Sequence, residues 1–180
     1  MTDYHRRWPE EATVVERFMA LVDHWPRCLT REHLPGHITA SGWVVHPGSD
    51  AVLLTHHRKL DKWLQLGGHV DGDTDVVRAA RREIEEESGL VAVDLVSDPL
   101  IFDMDVHGIP RHGDVPPHDH YDLRFAFVAR QRHEPVVSDE SHDVAWVSLG
   151  DLEQYTTEPA MLRMRAKWRR RRSPELNRGE

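Results

Sequence analysis

The segment from Gly67 to Leu90, GGHVDGDTDVVRAARREIEEESGL, constrains the fold most, because it joins a glycine-rich loop to a strongly acidic helix. Apolar residues recur at helical spacing from about Asp75 to Ser88, and Gly89 is placed to end the helix in the left-handed conformation. Carboxylates crowd the last turns, where the partial negative charge of the helix carbonyl groups opposes them. We therefore expect a cation at this end of the helix. The crowded residues are Glu83, Glu85, Glu86 and Glu87.

Helical geometry brings three of these carboxylates to one side of the helix. Glu83, Glu86 and Glu87 fall within roughly 100° of arc, whereas Glu85 points about 200° away from Glu83. Mg²⁺ prefers hard oxygen ligands of this kind and keeps positions free for water and phosphate. The loop 68–74 can bring backbone groups to the same place. For an isolated acidic run, the alternative is a solvated helix face.

The pattern is longer than an acidic run. A glycine, a loop and a helix with the order Arg-Glu-aliphatic-x-Glu-Glu-x-Gly-aliphatic resemble the signature of the Nudix hydrolases, and the resemblance extends roughly from His37 to Tyr155. Thr74 departs from it, because the family usually has glutamate there. We expect Thr74 or Asp73 to cap the helix, with Asp75 in its first turn, so that the loop keeps its geometry. The matching residues are Gly68, Arg82, Glu83, Ile84, Glu86, Glu87, Gly89 and Leu90.

The resemblance implies an α/β fold, a Nudix-type α/β/α sandwich with a mixed central β-sheet. It also implies metal-dependent hydrolysis of a phosphoanhydride bond, in a nucleoside diphosphate linked to another moiety or in a related diphosphate. Mg²⁺ or Mn²⁺ would be the cofactor, and Arg82 and Gly89 would support the geometry of the box. The implied metal ligands are Gly68, Glu83, Glu86 and Glu87.

Hydrolysis needs a general base to accept a proton from water. In the family, this base is either a glutamate of the box or an acidic residue in a later loop. Glu86 and Glu87 are the box candidates. Glu140, in the segment SDESHDVAW, occupies a place similar to the later one, although it can equally be an ordinary loop acid.

The strand predicted over 120–130 alternates in character, with aromatic and leucine side chains on one face and polar side chains on the other. His118 and His120 could bind zinc, but two histidines without a third ligand are more typical of a polar pocket. We interpret the polar face as a wall of the substrate site, in which Arg124 binds a phosphate or carboxylate. The substrate-binding candidates are His69, His118, His120, Asp122 and Arg124.

The chain of 180 residues is long enough for one domain with a full hydrophobic core and too short for two ordinary domains. We expect a single domain in three parts: an N-terminal helical extension over 1–36, a core over 37–158, and a C-terminal helix with a basic tail over 159–180. Periodicity and turn residues place the strands within the core. They are expected at 37–46, 51–57, 62–70, 100–108, 120–130 and 143–149.

Composition limits the compartment and the partners. Cys28 is the only cysteine, which excludes an internal disulfide and fits a reducing compartment. Apolar runs stay short of the about 18 residues that a membrane helix needs, so we expect a cytoplasmic protein that does not enter a membrane. The net charge of −8 argues against nucleic acid as a partner. We expect a small-molecule diphosphate substrate, and a homodimer is possible.

Two other functions fit parts of the sequence. A non-catalytic domain that binds a nucleotide or sugar nucleotide would explain Thr74, whereas the intact set of glutamates argues against it. An RNA-directed enzyme or binder would explain the basic residues 169–172 beside Trp168. A solvated basic end explains that tail more simply, because nothing else in the acidic chain suggests a nucleic-acid track.

Overall fold

Runs of β-branched and aromatic residues form a single sheet, as their strand propensities predict. The computed structural model describes residues 1–48, 50–96, 98, 100–130 and 134–172, and within these ranges eight strands pair. The strands are β1 (Gly36–Val45), β2 (Ala51–His57), β3 (Lys62–Leu64), β4 (Leu66–His69), β5 (Val93–Leu95), β6 (Asp103–Ile109), β7 (His118–Ala129) and β8 (Ser141–Ser148).

The sheet is mixed because its central strands, β1 and β7, run parallel while the other pairs are antiparallel. On the side away from β7, β1 pairs with β4 and β2. Strand β2 in turn pairs with β3 and β8. The strand expected at 62–70 is interrupted at Gln65, which separates β3 from β4. The short strand β5 was not predicted from the sequence.

Helices cover both faces of the sheet, which confirms the α/β/α sandwich. Alternate residues of β1 enter the two cores: Ala40 and Val44 pack on the side of α3, whereas Trp43 and Val45 pack against the C-terminal helix. The helices are α1 (Thr2–Arg7), α2 (Ala12–Val22), α3 (Val76–Ser88), α4 (Leu152–Tyr155) and α5 (Pro159–Arg172). None of the helices described here is both long and apolar enough to cross a membrane.

Helix α3 begins and ends where its capping residues direct. Asp75 is the N-cap, and its side chain accepts a hydrogen bond of 3.0 Å from the backbone N–H of Arg78. The cap is therefore neither Thr74 nor Asp73. Asp73 instead accepts a 2.9 Å bond from the backbone N–H of Asp75, which supports the loop. Gly89 ends the helix with a φ of +72°, the left-handed stop that the sequence predicts.

A buried network of charges occupies the other face of the sheet. The guanidinium of Arg124 is bonded to Asp122 at 2.7 Å and to Asp103 at 3.0 Å, and it lies 3.2 Å from Asp105. Only 3% of Arg124 and 2% of Asp122 are exposed. Asp122 also accepts bonds from Ser41 at 2.7 Å and from Thr39 at 3.2 Å.

This burial contradicts the expectation that Arg124 and Asp122 bind substrate. Strand alternation placed both residues correctly on the face opposite the aromatic core, but their polar atoms bond to each other and to neighbouring strands instead of facing solvent. Their observed role is structural: the network joins β1, β6 and β7.

The same network fixes the two ends of the chain. Asp103 accepts bonds from Arg163 at 2.8 Å and from Lys167 at 2.6 Å, both on α5. Lys167 also donates to the hydroxyl of Tyr4 at 2.7 Å, and Tyr4 lies on α1. The described part of the predicted N-terminal extension therefore packs into the same body as the sheet. Of the basic tail, residues 173–180 lie outside the described residues.

Removing the central cation of this network should lower the stability of the protein. We expect Arg124→Ala to lower the free energy of unfolding by about 3–5 kcal/mol, because Asp103 and Asp122 stay buried with less compensating charge. Urea denaturation measures the difference. Arg130→Ala is the control: Arg130 is 65% exposed and pairs with Asp94 on the surface, so its loss should cost about 1 kcal/mol at most. Equal losses in the two variants would contradict the structural role of Arg124.

Candidate active site

The acidic end of α3 lies directly against the glycine backbone of β4. The Glu87 carboxylate accepts a 2.8 Å hydrogen bond from the backbone N–H of Gly67, and only 6% of Glu87 is exposed. Glu83 lies so close to Gly68 that a Cβ there would overlap its carboxylate. Glycine at position 68 is therefore required for this close approach. The predicted metal ligands Gly68, Glu83 and Glu87 are brought together.

Glu86 and Glu85 are more open. Glu86 follows Glu83 on the same side of the helix, and its side chain is 60% exposed. Its carboxylate lies 4.0 Å from Nε of Arg82. Glu85 is exposed as well, on the other side of the helix. Below, the α3 carboxylate cluster means Glu83, Glu86 and Glu87.

Arg82 connects this cluster to the end of β4. One of its terminal nitrogens donates both to the Glu83 carboxylate at 2.7 Å and to the backbone carbonyl of His69 at 2.6 Å. Because His69 ends β4, the bond fixes the strand relative to the helix. One arginine thus orients Glu83 and holds the backbone beside it.

Burial makes the two inner carboxyl groups hard to ionise. It raises the pKa of Glu87 to about 8, with the N–H of Gly67 opposing the shift and the charge of Glu83 adding to it. Burial likewise raises the pKa of Glu83 to about 7, partly offset by Arg82 and reinforced by Glu86. Close carboxylates of this kind fit a hard divalent cation, because such a cation favours the ionised form that burial disfavours.

Glu140 lies near the cluster, although it is distant in sequence. It is exposed, and its backbone carbonyl accepts a 2.9 Å bond from the N–H of Arg58. Its negative charge is among the causes that raise the pKa of Glu83 and of Glu87. Glu140 is thus an acidic residue outside α3 whose charge reaches both inner carboxyl groups.

The candidate histidines also meet, around one residue that the sequence did not single out. The parallel pairing of β1 with β7 puts His37 opposite His120. The ring centre of His37 lies 4.8 Å from that of His120, 5.0 Å from that of His118 and 5.1 Å from that of His69. We call these four residues the histidine cluster. His37 was missed because only the strand pairing reveals its neighbours.

Burial keeps much of the histidine cluster uncharged. Burial first and the neighbouring imidazoles second lower the pKa of His37 to about 4 and that of His120 to about 2. The pKa of His69 is lowered as well, first by burial and then by Arg31. His69, His118 and His120 remain half-buried, so all three keep the access that a substrate-binding residue needs, unlike Asp122 and Arg124.

The raised pKa of Glu87 predicts a pH-dependent stability. In the folded state this carboxyl group holds its proton more tightly than in the unfolded chain, so its contribution to the free energy of unfolding falls as pH rises from 4.5 to about 8. In the presence of a chelator, Glu87 should cost the parent roughly 2–4 kcal/mol of its free energy of unfolding across this range, and the Glu87→Gln variant should not show this loss. Urea denaturation at several pH values measures the free energy of unfolding of the variant and of the parent. The contributions of the histidines are the same in both proteins and cancel in the difference. Glu85→Gln should follow the parent; a Glu87→Gln curve parallel to the parent's would refute the shift.

Comparisons with known proteins show which family and which solved structures the chain resembles. A family model described as the NUDIX domain matches residues 36–168, whereas no curated protein matches the chain. A NUDIX-family hydrolase from Clostridium perfringens is 28% identical, with 73% of this chain and 95% of that chain covered and a TM-score of 0.55. An Ap4A hydrolase from C. elegans is 18% identical, with 74% and 95% covered and a TM-score of 0.58.

A third solved structure is the NUDIX domain of Shewanella oneidensis NrtR in complex with ADP ribose, which is 15% identical, with 86% of this chain and 98% of that chain covered and a TM-score of 0.54. The match to the family model takes in β1, the acidic helix α3 and most of α5. The mixed sheet between helices agrees with these solved structures. The chain therefore belongs to the Nudix hydrolase superfamily.

Proposed function

We propose that the protein hydrolyses a phosphoanhydride bond, with Mg²⁺ or Mn²⁺ as cofactor, in a nucleoside diphosphate linked to another moiety or in a related diphosphate. The convergence of Glu83 and Glu87 on the glycine backbone of β4 is the main support for this proposal. Two carboxyl groups with raised pKa values, beside a third on the same helix, form a donor set that a divalent cation completes.

In this proposal the α3 carboxylate cluster holds the metal together with the backbone of Gly68. When bound, the divalent ion neutralises phosphate charge and lowers the pKa of water. The chain supplies the positions: the N–H of Gly67 holds Glu87, and Arg82 holds Glu83. Because both carboxylates are fixed before substrate arrives, little reorganisation is needed on binding.

The residues of the chain also supply the proton acceptor. Water attacks one phosphorus atom of the diphosphate, the bond from that phosphorus to the bridging oxygen breaks, and the second phosphate leaves with the bridging oxygen. We propose that Glu140 accepts the proton of the attacking water, because it is exposed and its charge acts on both inner carboxyl groups. Glu86 and Glu87 are the alternatives within the box.

The same proposal includes the substrate contacts and the cellular location of the protein. A small-molecule diphosphate that extends around β4, which pairs with β1, would contact His69 and the exposed edges of His118 and His120 with the part that lies beyond the bond to be broken. The single cysteine is consistent with a cytoplasmic location, and a homodimer remains compatible with the sequence.

The carboxylates of α3 should be necessary for turnover and not for folding. Glu83→Gln and Glu87→Gln should each lower kcat by roughly a hundredfold or more, because each removes a charged metal ligand. Glu85→Gln, on the exposed opposite side of the same helix, should keep the parent's activity. The assay is phosphate or monophosphate release from a panel of nucleoside diphosphate derivatives with Mg²⁺ or Mn²⁺, together with metal titration by calorimetry.

The same assay separates catalysis from simple binding. If the parent binds a nucleotide or sugar nucleotide but releases no product from any panel member, the non-catalytic function replaces hydrolysis. Full activity in both Gln variants would refute the role of the carboxylates even if the protein is an enzyme.

Glu140→Gln tests the identity of the general base. If Glu140 takes the proton, kcat should fall by about 10²–10⁴-fold. Metal affinity should change little, because Glu140 is not among the proposed ligands, and this separates it from Glu83 and Glu87. Asp139→Asn, a change at the preceding exposed acid, is the matched control. An unchanged kcat in Glu140→Gln would assign the base to Glu86 or Glu87 instead.

A further inference from the structure

A second group of potential metal ligands lies where β1 and β7 begin. The ligand nitrogens of His37, His118 and His120 all lie within 4.8 Å of one another. His118 and His120 are neighbours on one face of β7, and the parallel register sets His37 beside them. Three imidazoles from two adjacent strands therefore face a common point.

The imidazole nitrogens at this point are buried without protein partners. Nε2 of His120 makes no hydrogen bond within the described part of the chain, and neither ring nitrogen of His37 has the geometry of one, although the backbone of His33 lies close enough to oppose the lowering of the pKa of His37. His37 as a whole is 1% exposed. Buried polar atoms normally have a partner, since an unpaired one lowers the stability of the fold. A metal ion that accepts a lone pair from one nitrogen of each ring would remove part of that cost, because a neutral imidazole has one lone-pair nitrogen and one N–H.

We propose that His37, His118 and His120 bind one transition-metal ion of the zinc type, at a site separate from the α3 carboxylate cluster. Neutral imidazole is a preferred ligand of Zn²⁺, whereas Mg²⁺ prefers oxygen. In a tetrahedral zinc site, bonds of 2.0–2.1 Å put the ligand nitrogens roughly 3.3 Å apart. The three ligand nitrogens lie within 4.8 Å of one another, so metal binding would have to bring them closer by up to roughly 1.5 Å through rotation of the rings about their side-chain bonds.

The surroundings of His118 favour ligation. Its Nδ1 lies 3.0 Å from the backbone carbonyl of Pro116, and a proton on Nδ1 leaves Nε2 free for a metal. Metal-binding histidines commonly donate their second ring N–H to such a carbonyl, which fixes the tautomer and the orientation of the ring. The position that Pro116 imposes on His118 is thus the one that a zinc ligand needs.

The fourth position of the ion would be open. A shallow cleft of about 250 Å³ is lined by Ile109, Pro117 and His118. Of the three imidazoles, that of His118 lines this cleft, so a cation from solvent would reach the site past His118. Three protein ligands and one open position are the arrangement found in zinc sites that exchange ligands.

The two metal sites lie on opposite sides of one strand. Gly68 faces α3 and Glu83, whereas His69, the next residue of β4, points to the other face and borders His120, with ring centres 5.0 Å apart. The oxygen donors on one side and the nitrogen donors on the other would sort hard cations from zinc-type cations. Occupation of the histidine site does not depend on the proposed hydrolysis.

The test uses untagged, full-length protein treated with a chelator and then dialysed. Zn²⁺ titrated by calorimetry should bind the parent at one high-affinity site per chain, and Co²⁺ should give the visible absorption of a low-symmetry site with nitrogen ligands. His118→Ala and His120→Ala should weaken this binding by roughly a hundredfold or more. Because both side chains are half-buried, these variants are better suited to the test than His37→Ala, which empties a fully buried position.

Two controls make the result decisive. His24→Ala removes an exposed histidine that contacts another histidine, His33, at 5.2 Å between ring centres, and it should bind Zn²⁺ like the parent. The double variant Glu83→Gln, Glu87→Gln should keep the high-affinity Zn²⁺ site while losing Mg²⁺ binding. Zinc binding that survives His118→Ala and His120→Ala, or that disappears with the two glutamates, would overturn the proposal whether or not the protein proves to be a hydrolase.

Discussion

The contact between α3 and the sheet depends on glycines that let a helix approach strand backbone closely. A Cβ at Gly42 would come within 2.5 Å of the Ile84 side chain, and one at Gly68 would overlap Glu83. Ile84 anchors the apolar stripe of α3 in the core, and one residue earlier Glu83 meets β4. Hydrophobic packing therefore determines where the carboxylates lie. Their burial, and with it their raised pKa values, follows from the absence of side chains on the strands below.

The two faces of the sheet handle buried charge in different ways. In the network around Arg124, Asp103, Asp105 and Asp122 each have a cationic partner. Arg163, Arg124 and Lys167 lower the pKa of Asp103 against its burial. On the side of α3, the cationic partner of Glu83 among the described residues is Arg82, and Glu87 accepts a hydrogen bond from a backbone N–H. A compensated network stabilises a fold, whereas an uncompensated pair favours binding a cation. Sites of chemistry are expected among the uncompensated groups.

The sequence predicted what depends on local pattern. The period of α3, its glycine stop and the convergence of its carboxylates all follow from spacing along one element. Alternation also assigned Arg124 to the correct face of β7, but the groups that cover this face come from β6 and α5, so its burial could not be read from the strand alone. His37 lies 83 positions before His120, and only the parallel pairing joins them. The short strand β5 has too few residues to show a period.

The carboxylate of Asp103 joins both terminal helices to the sheet. It is bonded to Arg163 and Lys167 of α5, and Lys167 also reaches Tyr4 of α1. A recombinant fragment cut to the sheet and its acidic helix, over 37–158, would contain the proposed catalytic groups but leave an anion in the interior without two of its cations. The folding unit is thus larger than the segment that carries the chemistry, and the two terminal helices belong to it as much as the strands do.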